Sequence, residues 1–184
     1  MKSTRTRRVA AATVVGLALG ATSMVAMPGV AVAKAATCTI QSDDHWPARV
    51  QGQPAGINPK TSAATYMWHD RDGWHVRVTH HTTNLKSFSG QITTTGTFGA
   101  AKPVRLEKAD SFAVSPDRHS LTFLFKNHGY IDGVDFRTRC APSLKFAFQS
   151  DGKPTPKSRI VIGKHSVHPK HNPFTINRTT GVVS

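Results

Sequence analysis

The sequence predicts an all-β protein: an antiparallel β-sandwich, jelly-roll-like, of nine or ten short strands. Three observations carry that reading. Short segments alternate large apolar with polar side chains, the period that buries one face of a strand. Asp, Asn, Gly and Pro separate these segments at near-regular intervals and supply turns. Nowhere does an apolar i, i+3, i+4, i+7 pattern last three turns.

The first element is not part of the sandwich. Lys2, Arg5, Arg7 and Arg8 make a basic start, and residues 9–33 then run without a charge. This predicts a secretory signal peptide over residues 1–35, cleaved after Ala33 or Ala35, where small residues flank the bond. An uncleaved anchor is the alternative, since the run is long enough to span a bilayer. The Pro28-Gly29 break and the small residues that follow favour cleavage. Thr6-Arg7-Arg8 lacks the bulkier neighbours of a twin-arginine signal, and Thr37 before Cys38 is too large for lipidation. Five of the 24 Lys and Arg precede Ala36 while all 10 acids follow it, so the exported chain carries a formal +9. Ten His add charge in acid surroundings.

Residues 36–62 are polar and broken by Pro47, Pro54 and Pro59, and are expected to form an irregular arm held at Cys38 and Trp46. The sandwich domain is expected over 63–164. Its first strands, 65–68 and 74–79, make a hairpin around Asp70-Arg71-Asp72-Gly73. In the second, Trp74, Val76 and Val78 alternate with His75, Arg77 and Thr79. Further strands are expected at 88–94, 104–106, 111–114, 121–126, 134–139, 144–149 and 159–162. Residues 120–140 read as strand, tight loop, strand, a second hairpin with Leu121, Phe123, Phe125, Val134 and Phe136 facing inward. Residues 165–184 form a His-, Pro- and Asn-rich tail with one short strand at 174–176. The chain holds two cysteines. In an exported protein they pair, predicting a Cys38–Cys140 disulfide that stabilises by about 4–5 kcal/mol through loop closure.

The segments GWHVRVTH, FSGQITTTGTF and IDGVDF resemble small secreted β-sandwich proteins of high-GC Gram-positive bacteria, over residues 60–178. The resemblance implies the fold and carries no activity with it.

Four groupings are candidates for chemistry. Asp70 and Asp72 before Gly73, with Asp132 and Asp135 around Gly133, are candidate calcium ligands, provided the two loops meet. Against this, Asp and Gly are what hairpin turns use, and a complete EF-hand loop is absent. His165, His168 and His171 suit a transition metal, but no acid neighbours them and Pro169 forbids a helix that would align them. His80-His81 points to opposite faces of a strand. Glu107, the sole glutamate, lies between Arg105 and Lys108, and no GxSxG, HExxH or P-loop pattern is present. Finally His75, Arg77, Arg137, Arg139 and Lys145 all lie opposite the apolar stripes.

If their strands are neighbours, those five make a cationic face for a polyanion such as a wall polymer, an acidic polysaccharide or extracellular nucleic acid. Trp46, Trp68 and Trp74 raise a neutral glycan as a second ligand class, although Trp74 is in phase with the core. The expected function is therefore a secreted, monomeric, non-catalytic module that binds an anionic polymer. The alternative is a small secreted hydrolase with a His/Asp site and structural calcium. A third option is a protein-docking domain that uses an exposed sheet edge.

Overall fold

Alternation along each segment decides which side chains turn inward, and two sheets result, packed face to face. A computed structural model describes Cys38, Asp43 and residues 45–56, 64–79, 85–126 and 131–184. The expected signal peptide, His80-His81 and the loop at 127–130 lie outside the described residues. The strands are β1 (Thr65–Asp70), β2 (Gly73–Thr79), β3 (Ser87–Thr94), β4 (Thr97–Pro103), β5 (Ser111–Val114) and β6 (Ser120–Lys126). They continue with β7 (Ile131–Arg139), β8 (Ser143–Ser150), β9 (Lys153–Pro154), β10 (Ile160–Ile162) and β11 (Phe174–Asn177). No α-helix occurs among the described residues, and none there is long and apolar enough to cross a membrane.

The first sheet has the order β10-β1-β2-β7-β4 and the second β11-β8-β3-β6-β5, with β9 appended to β8. Pairing is antiparallel except for β1 with β10. Between the sheets Trp74 meets Phe146 at 5.8 Å between ring centroids, and Trp46 of the arm closes on Trp74 at 4.8 Å. Val76, Val134, Phe136, Ile92, Phe125 and Phe148 are all buried. Truncating any of these phenylalanines to alanine is expected to cost about 3–5 kcal/mol. The arm is tied at its start by Cys38–Cys140, whose Cα atoms lie 5.4 Å apart.

Two expectations about strands fail. The alternation at 120–140 places β6 and β7 correctly, but they are not a hairpin, because β6 belongs to the second sheet and β7 to the first. Period 2 reports which face a residue takes, not which strand lies beside it. Both strands bury aromatic faces, and crossing between sheets sets those faces against opposite walls of one core. The strand expected at 104–106 is instead β4, at Thr97–Pro103, while Val104 and Leu106 are exposed. Its Gly99-Ala100-Ala101 centre has too little side chain to show alternation, and Phe98 is its buried anchor. β4 pairs with β7 across a register shift between Phe98 and Ala101.

The sheet edges are blunted, which counters edge-to-edge pairing. Arg118 donates through its guanidinium to the carbonyls of Phe98 and Gly99 on β4. Thr175 of β11 exchanges backbone hydrogen bonds with Ser184, and Ile162 of β10 does so with Val167. β5 has four residues.

Candidate functional site

The alternation that buries Met67, Trp74, Val76, Val134 and Phe136 turns Trp68, Asp70, His75, Arg77, Asp135, Arg137 and Arg139 onto the outer face of the first sheet. His75 lies in register with Trp68 on one side and Asp135 on the other. Its Nδ1 is 2.7 Å from Asp135 Oδ1 and its Nε2 is 3.0 Å from Asp70 Oδ1. Carboxylates only accept and a neutral imidazole has one N–H, so satisfying both contacts requires the imidazolium. Arg77 Nη2 reaches the same Asp135 oxygen at 2.7 Å, and its guanidinium lies 5.3 Å above the Trp68 ring. Trp68 also stacks on His75 at 4.9 Å and donates Nε1 to Asp70 Oδ2 at 3.2 Å.

A glycine makes this arrangement fit. Gly133 is opposite Arg77, and a Cβ there would lie 2.2 Å from the Val76 carbonyl oxygen and 2.8 Å from Arg77 Cδ. Burial works to lower the His75 pKa, but hydrogen bonds and charge from Asp135 and Asp70 outweigh it, and the pKa is raised. For Asp135 burial acts upward, and His75 and Arg77 outweigh it, holding the carboxyl below its usual range. Asp70 follows the same pattern, with burial overcome by His75 and the Asp72 amide.

Beside this network a trough follows β4. Three adjoining depressions, of about 260, 290 and 360 Å³, share Ala100 in their walls. Their lining places cations in sequence: Lys102 in the first, Arg137 in the first two, Arg139 in the second and third, and Arg118 in the third. Gly99, Ala100 and Ala101 leave the floor open. Arg137 is aimed by the β1–β2 turn, donating Nε to Asp72 O at 3.1 Å and Nη2 to Arg71 O at 3.0 Å. Asp70 steadies that turn by accepting from the Asp72 amide at 2.8 Å. No carboxylate among the described residues comes within 4.0 Å of the Lys102, Arg118, Arg137 or Arg139 nitrogens. All four side chains are exposed.

The inner end of the middle depression is a second histidine–aspartate pair, Asp43 and His69, with Thr138. Asp43 accepts from Trp46 Nε1 at 3.0 Å and from the Thr138 hydroxyl, and its Oδ2 faces His69 Nε2 at 3.6 Å. Gln51 Nε2 lies 3.3 Å from His69 Nδ1. An amide nitrogen only donates, so Nδ1 accepts and the ring proton sits on Nε2, toward Asp43. Burial pushes the Asp43 carboxyl up, and the facing His69 ring together with hydrogen bonds from Thr138 and Trp46 brings it below the ordinary value.

Of the five cationic residues expected to share a face, four do. Lys145 lies on β8, on the outer face of the other sheet. His75 and Arg77 are occupied by Asp70 and Asp135, which leaves Arg137 and Arg139 as the open charges of that set. The four candidate calcium carboxylates are dispersed: Asp70 and Asp135 flank His75, Asp72 is exposed beside Arg71, and Asp132 is buried on the inner face of β7. Among the described residues no group of three or more His, Cys, Asp or Glu stands where it holds a metal, and His165, His168 and His171 are each exposed.

Lys102 and Arg118 were not singled out from sequence, nor were Asp43 and His69. His69 had a usable signal, being in phase with Thr65 and Met67 on the inner face of β1. Arg118 sits in a turn, where periodicity is silent. Comparison of the chain with protein-family models, curated proteins and solved structures finds no match.

Proposed function

We propose that this chain is a secreted, non-catalytic binding module for an anionic polymer, gripped in the trough along β4. The observation that carries the reading is the group of four exposed cations around β4, Lys102, Arg137, Arg139 and Arg118, none held by a carboxylate among the described residues. Asp43, Asp70, Asp72 and Asp135 also line these depressions, but His75 and Arg77 engage Asp70 and Asp135. The four open cations over a small-residue floor attract an anionic backbone over a distance set by salt. Secretion is supported by the disulfide, which suits an oxidising compartment, and by the basic, then apolar, start of the chain.

The non-catalytic half is supported by the histidines. A general base needs an imidazole nitrogen within reach of substrate. Both nitrogens of His75 meet carboxylates, and those of His69 meet Gln51 and Asp43. Neither ring has a lone pair facing the trough.

Retention on immobilised heparin across a salt series tests the reading. Binding should weaken linearly in log salt, as counterion release requires. Absence of retention, or retention indifferent to salt, overturns it.

A further inference from the structure

The spacing of the trough cations, rather than their number, selects among polyanions. Lys102 is in register with Asp135, and Arg137 and Arg139 follow at two-residue steps along β7. Two residues of extended strand advance about 6.6 Å, so three cationic rows recur at that interval. Arg118 flanks this row from the open side of β4, anchored on the Phe98 and Gly99 carbonyls at the level of Thr138 and Arg137. A row of cations binds a chain most favourably when the anions repeat at the same interval, because each pair then forms without straining either backbone.

That interval belongs to a particular chemistry. Phosphates bridged by three carbons, with bonds near 1.5 Å, repeat at about 6–7 Å. Directly linked phosphates repeat at roughly half that, and ionised groups on alternate sugar rings repeat at a longer distance. Single-stranded nucleic acid shares the three-carbon bridge but also needs aromatic platforms for its bases. The trough offers none. Its lining rings, His69, Phe98 and Phe136, are all buried, while Trp68 lies beneath Arg77. The small floor of Gly99, Ala100 and Ala101 suits a slender, base-free chain.

We infer that the trough is a site for a linear polyol phosphate with three-carbon bridges, its successive phosphates seated on Lys102, Arg137 and Arg139, with Arg118 flanking them across β4. This rests on the polyanion reading above and narrows it to one ligand class. Each phosphate is bound by charge and hydrogen bonds alone, with Arg137 held in place by the β1–β2 turn.

The test compares three probes at equal charge and ionic strength: poly(glycerol phosphate), inorganic polyphosphate and single-stranded poly(dT). The glycerol phosphate polymer should bind at least about tenfold tighter than either of the others. Its log–log salt slope should be about −2, for three phosphates at roughly −0.7 each. Lys102→Ala and Arg139→Ala remove cations whose side chains make no hydrogen bond or ion pair with the described residues, and each should flatten the slope by about 0.7. Lys145→Ala, on the far sheet, should leave it unchanged. Equal affinity for all three polymers overturns the spacing argument and leaves the polyanion reading standing. Tightest binding to poly(dT) overturns it in favour of nucleic acid. Binding to none of the three overturns both.

Discussion

The outer faces of the two sheets are built on the same alternating strands and differ in what they do with charge. Every acid carried by a strand lies on the first sheet: Asp70, Asp132 and Asp135. Two of them hold cations there, since Asp135 binds His75 and Arg77 and Asp70 binds His75. The second sheet presents Ser89, Gln91, Thr122, Ala147 and Gln149 around a shallow depression, with no strand acid. Its side-chain contacts, such as Gln91 to Ser120 at 3.3 Å and Ser89 to Gln149 at 3.5 Å, are long. One face is a locked electrostatic mosaic bordered by free arginines, and the other is a soluble polar surface. Composition counts the cations of a chain, but function depends on those left over once the acids have taken theirs.

The largest effect expected from breaking this contrast is at Asp135. Asp135→Ala leaves His75 and Arg77 half-buried without their shared carboxylate, and should cost about 2–3 kcal/mol of unfolding free energy, somewhat less than a fully buried pair. Gln149→Ala, the matching change on the second sheet, should stay within about 0.5 kcal/mol. Denaturant midpoints with a common slope measure both, and equal losses would erase the distinction. Next comes ligand affinity. Combining Lys102→Ala with Arg139→Ala should weaken heparin binding about tenfold, whereas Lys145→Ala should weaken it by less than about twofold. Column retention at fixed salt reads this directly.

A smaller effect concerns pH. The raised His75 pKa contributes stability that is complete below the unfolded value of 6.5 and is lost as pH rises through the folded value. The lowered Asp70 and Asp135 pKa values contribute stability present above 3.8 and lost as pH falls through their folded values. Melting temperature should therefore be highest between about pH 4 and pH 6.5. His75→Gln should remove the part of the alkaline decline that belongs to this cluster, seen in the difference between the two melting curves. An unchanged alkaline limb would show that His75 is not charged in the folded protein.

Much of the interior was legible in the residues. Leu121, Phe123 and Phe125, or Leu144, Phe146 and Phe148, alternate so strictly that their burial follows from strand geometry, and two cysteines leave one pairing. What alternation does not carry is strand neighbourhood. It placed β6 and β7 side by side, when one lies in each sheet, and it put Lys145 on the face of Arg137. β4 escaped notice because glycine and alanine carry no phase, yet those residues make the trough floor. Pairing of charge was equally hidden. His75 and Asp135 are far apart in sequence, and only the β2–β7 register brings them to 2.7 Å. Arg118 joined the site through a turn whose place depends on the edge it caps.

The most direct test of the account maps amide chemical-shift changes as poly(glycerol phosphate) is titrated into the protein. The predicted result is a contiguous set on the first sheet's margin, Gly99, Ala100, Ala101, Lys102, Arg118, Arg137 and Arg139, saturating together. Shifts centred instead on Ser89, Gln91 and Gln149 of the second sheet, or scattered without saturation, would contradict it.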